Sequence, residues 1–121
     1  MIAPMTADQI CRKYWVAEMK NDVDGVLDVW HKDAVFTGPD FECRGHDELR
    51  AFYSKNFENF PGLDLTVGRS FGDSNLACIE WDATQTGADG KKYRLRGVYV
   101  ANTDGEVMTQ VHVWFDRYPL D

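Results

Sequence analysis

The sequence has only a few cysteines, and their spacing is not that of a functional pair. Cys11, Cys43 and Cys78 are odd in number and scattered, unlike the close pairs of a disulfide framework or a zinc site. The aspartates and histidines show no ligand spacing such as His-x-His. Glycine-rich phosphate loops and nucleophile elbows are absent as well. We therefore expect free thiols, no metal and no cofactor.

Positive charge and long apolar runs are also scarce. The 121 residues carry 13 Lys and Arg against 20 Asp and Glu, a net charge of −7, without a basic cluster. This balance argues against nucleic acid or an anionic membrane surface as a partner. No apolar run approaches the roughly 20 residues of a spanning helix, and the N-terminus lacks the regions of a signal peptide. We expect a cytoplasmic protein that binds neither membrane nor nucleic acid.

The first half of the chain is patterned for three helices and one short strand. Thr6-Ala-Asp-Gln9 is a capping box, which predicts the start of the first helix. Apolar residues then recur at helical spacing, so each helix has one face to bury. The predicted elements are a helix from 6 to about 20, a helix from 22 to about 30, a strand at 33–37 and a helix from 47 to about 60.

The second half is patterned for strands. β-rich runs at 63–71, 75–86, 92–102 and 107–116 are separated by glycine-containing turns, of which Asp104-Gly105 suits a tight hairpin. A meander of hairpins after a group of helices predicts an α+β fold, with the helices packed on one face of a mostly antiparallel sheet. The length and the lack of a linker predict a single domain, residues 1–121.

This order of elements, together with three stretches of sequence, resembles the nuclear transport factor 2-like superfamily and, more narrowly, its SnoaL-like proteins. The stretches are DVDGVLDVWHKDAVFTGP, FECRGHDELRAFY and YRLRGVYVANTDGEVMTQVHVWFDR. Members include ketosteroid isomerase, limonene epoxide hydrolase, scytalone dehydratase, polyketide cyclases and non-catalytic transport proteins. The resemblance implies three helices in the concave face of a curved sheet, a cystatin-like cone whose open end is a largely apolar pocket.

The catalytic residues of two such relatives carry over only in part. Tyr14 falls where ketosteroid isomerase keeps its oxyanion-binding tyrosine, but Gly38 and Gly97 fall where it has its two carboxyl groups. Neither that mechanism nor the epoxide hydrolase mechanism can operate here unchanged. The positions of the hydrolase Tyr, Asn, Arg and Asp are taken by Phe36, Gly38, Trp81 and Ala83.

The resemblance leaves the facing of the last strand open. Counting forward from Gly105 turns one alternating set of side chains into the pocket, whereas counting back from the end of the strand turns the other set inward. The strand has one more residue than in many relatives, which predicts a bulge. The first set is Gln110, His112, Trp114 and Asp116, and the second is Val111, Val113 and Phe115.

We expect a small-molecule site in the cone, with candidate catalytic residues Tyr14, His112 and Asp116. Tyr14 would donate a hydrogen bond to an oxyanion, and His112 would be the base. Asp116 could orient His112 only through a bend in the strand. The alternatives are a core tyrosine, a histidine at the sheet surface or a dimer interface, and an aspartate paired with Arg117 or Arg96. The aromatic residues expected to bind the ligand are Trp30, Phe36, Trp81, Tyr99 and Trp114.

Two functions stay open at this point. One is a cofactor-independent enzyme of SnoaL-like type, performing isomerisation, cyclisation or dehydration on an apolar carbonyl compound. The other is a non-catalytic module that holds a hydrophobic ligand in the same cone. The missing carboxylates favour the module, whereas Tyr14 and an inward His112 favour the enzyme. A homodimer through the outer face of the sheet is expected, because that face must be buried or polar.

Overall fold

Three helices and six strands are present over residues 3–120, the part of the chain that the computed structural model describes. The helices are α1 (Ala7–Met19), α2 (Val23–Leu27) and α3 (Gly45–Asn59). The strands are β1 (Trp30–Thr37), β2 (Glu42–Arg44), β3 (Gly62–Asp73), β4 (Leu76–Thr86), β5 (Lys92–Thr103) and β6 (Met108–Leu120).

The six strands form one sheet in the order β2-β1-β6-β5-β4-β3. β3 to β6 are the antiparallel meander predicted from the turns. β1 pairs parallel to β6 and antiparallel to β2. The helices pack against one face of this curved, mostly antiparallel sheet, and the buried core lies between them and the sheet. The predicted α+β cone is therefore confirmed.

Helix α1 begins where its capping box predicts. The Thr6 hydroxyl accepts a hydrogen bond from the Gln9 backbone N–H at 3.2 Å, and the Thr6 N–H donates to Gln9 Oε1 at 2.9 Å. The helix ends before Asn21, whose positive φ of 55° leaves the helical region. Its buried face, which includes Tyr14, points at the sheet.

The second helix is shorter than predicted, and one strand was not predicted at all. α2 stops at Leu27 because the chain turns to pair with β6, where Val29 accepts a hydrogen bond from the Met108 N–H at 2.8 Å. Trp30 therefore opens β1 instead of ending a helix. Tertiary pairing overrides the local helical pattern here. β2 has three residues, too few to give a periodic signal.

The bulge predicted for the last strand is present near its start. Asn102 pairs with Gln110, but the next residue of β5, Thr103, pairs with Met108, so Thr109 is the extra residue. The slip exchanges the two faces of β6 beyond this point. Val111, Val113 and Phe115 consequently face the helices, whereas His112, Trp114 and Asp116 face away from them.

The helices of this range are short. No helix within residues 3–120 is long and apolar enough to cross a membrane.

Candidate functional site

A cavity of about 620 Å³ lies between α1, α3 and the inner face of the sheet. Its sheet side is built from alternate residues of the strands, because every second side chain of a strand points to the same face. The residues that form this side include Leu65, Trp81, Gln85, Leu95, Tyr99 and Val113. The cavity is the pocket of the cone that the resemblance implied.

Four of the residues proposed from the sequence lie on the cavity wall: Tyr14, Phe36, Trp81 and Tyr99. The Tyr14 and Tyr99 rings stack with their centroids 5.7 Å apart. Trp30 lies behind this wall. It is only 2% exposed, and its ring meets that of Tyr14 edge-on at 6.1 Å, so it belongs to the core and not to the lining.

The other three, His112, Trp114 and Asp116, lie on the outer face of the sheet and do not reach the cavity. The His112 and Trp114 rings stack on each other at 3.8 Å, and Trp114 is 51% exposed. The forward count from Gly105, which turned these side chains inward, is corrected by the extra residue Thr109. The base expected at His112 is therefore not part of the site geometry.

Aromatic rings occupy the space beside Gly38 and Gly97, the two glycines that the resemblance places where the isomerase has carboxyl groups. A Cβ atom added at Gly38 would collide with the Phe41 ring. One added at Gly97 would lie 2.8 Å from Cζ2 of Trp81 and would also collide with the backbone oxygen of Trp114. Phe41 and Trp81 both line the cavity, so apolar rings stand where side chains at these positions would project.

A carboxylate that sequence reasoning missed does line the cavity. Glu18 follows Tyr14 by one turn of α1, so the two side chains share a helix face. The Tyr14 hydroxyl donates to Glu18 Oε2 at 2.9 Å, and it lies 2.7 Å from the hydroxyl of Tyr53 in α3. We call these three residues the carboxyl–phenol chain. The i, i+4 spacing of a tyrosine and a glutamate was the signal available in the sequence.

The surroundings of this chain shift the proton affinities of its members. Burial raises the pKa of Glu18 to about 7, against which the hydrogen bond from Tyr14 acts more weakly. Glu18 as a residue is half-buried, since it stands on the cavity wall. Burial first, and the nearby Glu18 second, raise the pKa values of Tyr14 and Tyr53 well above that of an ordinary phenol. Both phenols therefore stay protonated while Glu18 titrates near neutrality.

The groups of the carboxyl–phenol chain are one carboxyl group and two hydroxyl groups. Among residues 3–120, no cluster of three histidine, cysteine or acidic side chains could hold a metal ion. The carboxyl–phenol chain can accept, donate and relay protons at neutral pH, because its carboxyl group exists there in both protonation states.

Solved structures with the same fold come from several bacteria. An NTF2-like protein of unknown function from Burkholderia pseudomallei is 21% identical with a TM-score of 0.79, covering 90% of this chain and 89% of that chain. A protein with a ketosteroid isomerase-like fold from Catenulispora acidiphila, in complex with trimethylamine, is 12% identical with a TM-score of 0.78, covering 90% and 85%. An LEH-like epoxide hydrolase of M. tuberculosis is 16% identical with a TM-score of 0.77, covering 89% and 80%. At these identities the likeness shows the fold.

The family of the chain follows from a different comparison. No curated protein matches the chain at a significant level. The family model of the SnoaL-like domain, however, matches residues 11–111, which include α1 from Cys11 onward, the meander up to the bulge and most of the cavity wall. The protein therefore belongs to the SnoaL-like domain family.

Proposed function

We propose that this protein is a cofactor-independent SnoaL-like enzyme that moves a proton on an apolar carbonyl compound held in the cone. The observation that supports it is the carboxyl–phenol chain on the cavity wall. A general base is most effective when its pKa lies near the working pH. The pKa of Glu18, about 7, meets this condition. Glu18 takes the place of the two absent carboxyl groups and of His112.

The number of hydrogens in the carboxyl–phenol chain links proton uptake by Glu18 to the release of a hydrogen-bond donor. When Glu18 is ionised, the two phenol hydrogens of Tyr14 and Tyr53 serve the two links of the chain, and none is left over. When Glu18 takes a proton, three hydrogens serve two links, so one becomes free. Proton abstraction by Glu18 thus releases a donor at the moment when the carbonyl oxygen of the substrate gains negative charge.

The proposed first step is the formation of an enolate. The bond between hydrogen and the carbon next to the carbonyl breaks, the proton goes to Glu18, and the electron pair moves to the oxygen as an enolate. Return of the proton to another carbon is isomerisation. In dehydration, Glu18 returns its proton to a hydroxyl group on the carbon adjacent to the enolate carbon, and this group leaves as water. In cyclisation, the enolate carbon attacks a second carbonyl, whose oxygen then takes the proton from Glu18. The first step and its residues are the same in all three.

The cavity favours an apolar, ring-sized compound. Its volume of about 620 Å³ is that of a typical small-molecule site, and aromatic rings such as Phe36, Phe41 and Trp81 line it. Water is thereby reduced around Glu18, which keeps the pKa of its carboxyl group high.

A second candidate is a non-catalytic module that binds a hydrophobic ligand. Tyr14 favours it, because this residue is only 2% exposed and its hydroxyl already has two partners. In that case Glu18 and Tyr14 would stabilise the cone and would not touch the reacting atoms of any ligand. The two candidates differ in whether bound ketones exchange protons.

Proton exchange tests the proposal without knowledge of the natural substrate. Ring ketones such as 1-tetralone, 2-tetralone and 2-decalone are incubated in D₂O, and loss of the NMR signal next to the carbonyl is followed. We expect the protein to accelerate exchange, with a rate that rises with pH through about 7. Glu18→Gln should lower the rate by about 10²- to 10⁴-fold, the contribution of a general base.

Two further variants complete this test. Tyr14→Phe should also slow exchange, because it removes the link between the carboxyl group and the substrate oxygen. Glu58→Gln changes an exposed glutamate of α3 and should leave the rate unchanged. Tight ketone binding with equal exchange by wild type and Glu18→Gln would contradict the enzyme and favour the binding module.

We also propose that two copies pair through the outer patch, defined as Cys78, Val98, Val100, His112 and Trp114. These residues are neighbours across β4, β5 and β6, and the half-exposed Trp114 is their largest apolar surface. An apolar patch on an outer sheet face is typical of an interface. Sedimentation should give a dimer for wild type and a monomer for Trp114→Glu. A monomeric wild type at micromolar concentration would contradict the proposal.

A cytoplasmic location is part of the same proposal. The cysteines at 11, 43 and 78 are free thiols, which persist in reducing compartments.

A further inference from the structure

A second polar group on the cavity wall lies apart from the carboxyl–phenol chain. Gln85 is only 5% exposed, and its side chain lines the cavity from β4. Its Oε1 atom has no hydrogen-bond partner among residues 3–120. In the sheet it stands between Leu63 of β3 and Tyr93 of β5. A buried amide without a partner destabilises a fold, and leucine or methionine would fill the same volume without that cost.

Gln85 occupies a different level of the cone from the phenols. Tyr99, which stacks on Tyr14, pairs with Ile79, and Gln85 lies six residues further along β4. Between these levels lies Trp81, another residue of the cavity wall, whose buried indole N–H has no hydrogen-bond partner among residues 3–120. Unpaired polar groups thus stand at two levels of a wall that is otherwise largely apolar.

The end of the cavity near Gln85 also carries a positive charge. Arg117 lines the cavity, and its guanidinium lies 5.0 Å from the ring centroid of Phe60 and 5.8 Å from that of Phe115. In the sheet it is paired with Leu95, which lies two residues from the Gln85 partner Tyr93. None of the ion pairs within residues 3–120 involves Arg117. This cation favours a ligand oxygen with partial negative charge, such as that of a phenol.

We infer that Gln85 binds a hydroxyl group of the ligand, so that the cone takes ring ketones with a second, phenol-type oxygen remote from the reacting carbonyl. This inference rests on the proposed function, because it takes the cone as the substrate site. A hydroxyl group both donates and accepts, so it satisfies the amide in either orientation. Trp81, which can only donate, suits an ether or carbonyl oxygen between the two ends. Gln85 is in this view a specificity-determining residue.

Matched ligand pairs that differ by one hydroxyl group test the inference. The probes are 1-tetralone with 6-hydroxy-1-tetralone, and flavanone with 4′-hydroxyflavanone, bound under calorimetry. In wild type, the hydroxylated member of at least one pair should bind about tenfold more tightly, the effect of a well-made hydrogen bond to a buried group. In Gln85→Leu this advantage should disappear, while the parent ketone binds at least as tightly as before.

Controls separate the role of Gln85 from general damage to the fold. Gln110→Leu changes an exposed glutamine on the outer face of β6 and should keep the full advantage of the hydroxyl group. Gln85→Met serves as a second apolar variant if Gln85→Leu is unstable. An equal advantage in wild type and both Gln85 variants would overturn the inference, as would the failure of every probe to bind wild type.

The same measurement in Glu18→Gln distinguishes this inference from the proposed function. Binding of the hydroxyl group does not require proton transfer, so its advantage should persist in that variant. Loss of exchange chemistry with the advantage intact would support both proposals. An intact advantage together with exchange that does not depend on Glu18 would overturn the enzyme alone. Exchange that depends on Glu18 but no effect of Gln85 would overturn the present inference alone.

Discussion

Glu18 in α1 lies on the inner side of the sheet, and Glu80 in β4 lies on its outer face. Their pKa values are shifted from the usual glutamate value in opposite directions. Burial raises the pKa of Glu18 to about 7. The pKa of Glu80 is lowered, chiefly because its carboxylate accepts hydrogen bonds from Arg69 at 2.7 and 2.9 Å. The inner side supplies Glu18 with a phenol and little water, whereas the outer side supplies Glu80 with a cation and solvent.

The two carboxyl groups show how their surroundings set protonation on the two sides of the sheet. A charged pair on the outer side holds its carboxylate in one protonation state at neutral pH, which suits a structural contact. A buried carboxyl group without a cation exchanges its proton near neutrality, which suits chemistry. Substitutions on the inner and outer sides should therefore differ in their effects on stability.

The largest expected difference in stability is between substitutions of Trp30 on the inner side of the sheet and Trp114 on the outer side. Trp30→Ala should lower the free energy of unfolding by about 3–5 kcal/mol, since Trp30 is 2% exposed and leaves a large cavity. Trp114→Ala, at 51% exposure, should cost less than about 1 kcal/mol in the monomer. Urea unfolding measures both. A cost below about 1 kcal/mol for Trp30→Ala would place that ring outside the core.

Removing the charge of Glu18 should change how stability depends on pH. Its pKa in the folded state, about 7, is above the usual value of 4.5, so the folded protein binds more protons between these values. The contribution is fully present below pH 4.5 and is lost as pH rises through 7. As the pH rises from 4.5 to 8, the free energy of unfolding of wild type should therefore fall by up to about 3 kcal/mol relative to that of Glu18→Gln.

The measurement is urea unfolding of wild type and Glu18→Gln across this pH range, with Glu58→Gln as the exposed control. Parallel stability curves for wild type and Glu18→Gln would show that the carboxyl group is hydrated in the folded state, and would remove the basis for its role as a base near neutrality.

A smaller effect is expected from glycines on the two sides of the sheet. Gly97→Ala introduces a Cβ that collides with the backbone oxygen of Trp114 and lies 2.8 Å from Cζ2 of Trp81, so it should cost about 1–3 kcal/mol. At Gly68 the nearest atoms, those of Glu80, are 3.4 Å away, and Gly68→Ala should cost clearly less. Equal thermal midpoints for the two variants would show that the Trp81 ring and the backbone at Trp114 both shift at little cost.

The smallest effect is expected from the outer ion pair. Arg69 and Glu80 are well exposed, and such pairs contribute little to stability. Because the pKa of Glu80 is lowered in the folded state, any contribution is present at neutral pH and is lost as the pH falls below the usual glutamate range. Glu80→Gln should shift the thermal midpoint slightly, and less at high salt. A shift comparable to that of Glu18→Gln would remove the contrast.

Elements with a strong local signal could be predicted from the sequence. The capping box of α1 depends on neighbouring residues and is present as predicted. The turns of the meander lie near the predicted glycines, but Gly72 still belongs to β3, and residues 104–107 join β5 to β6 in place of a tight two-residue turn. α2 and β1 could not be divided correctly, because the helical pattern that includes Trp30 continues into residues that pair with a distant strand. Local periodicity carries no information about such a partner.

The candidate site was harder to predict than the fold. Tyr14 was found through the resemblance, but Glu18 matters only because α3 brings Tyr53 against α1 and buries the carboxyl group. His112 was placed on the wrong face because one extra residue, Thr109, exchanges the two faces of β6. The position of this bulge within the strand depends on the pairing with β5. Both outcomes depend on tertiary contacts.

The rings beside Gly38 and Gly97 bear on how this protein is related to others of its fold. A side chain at either position requires its neighbours to move: the Phe41 ring at Gly38, and the Trp81 ring together with the backbone at Trp114 at Gly97. The residues at each glycine and at the neighbouring ring are therefore coupled. A larger residue at the glycine alone would clash with the ring, and a smaller residue in place of the ring alone would leave a cavity. A protein of this fold with acids at these positions is therefore expected to differ from this one by coupled substitutions and not by independent ones.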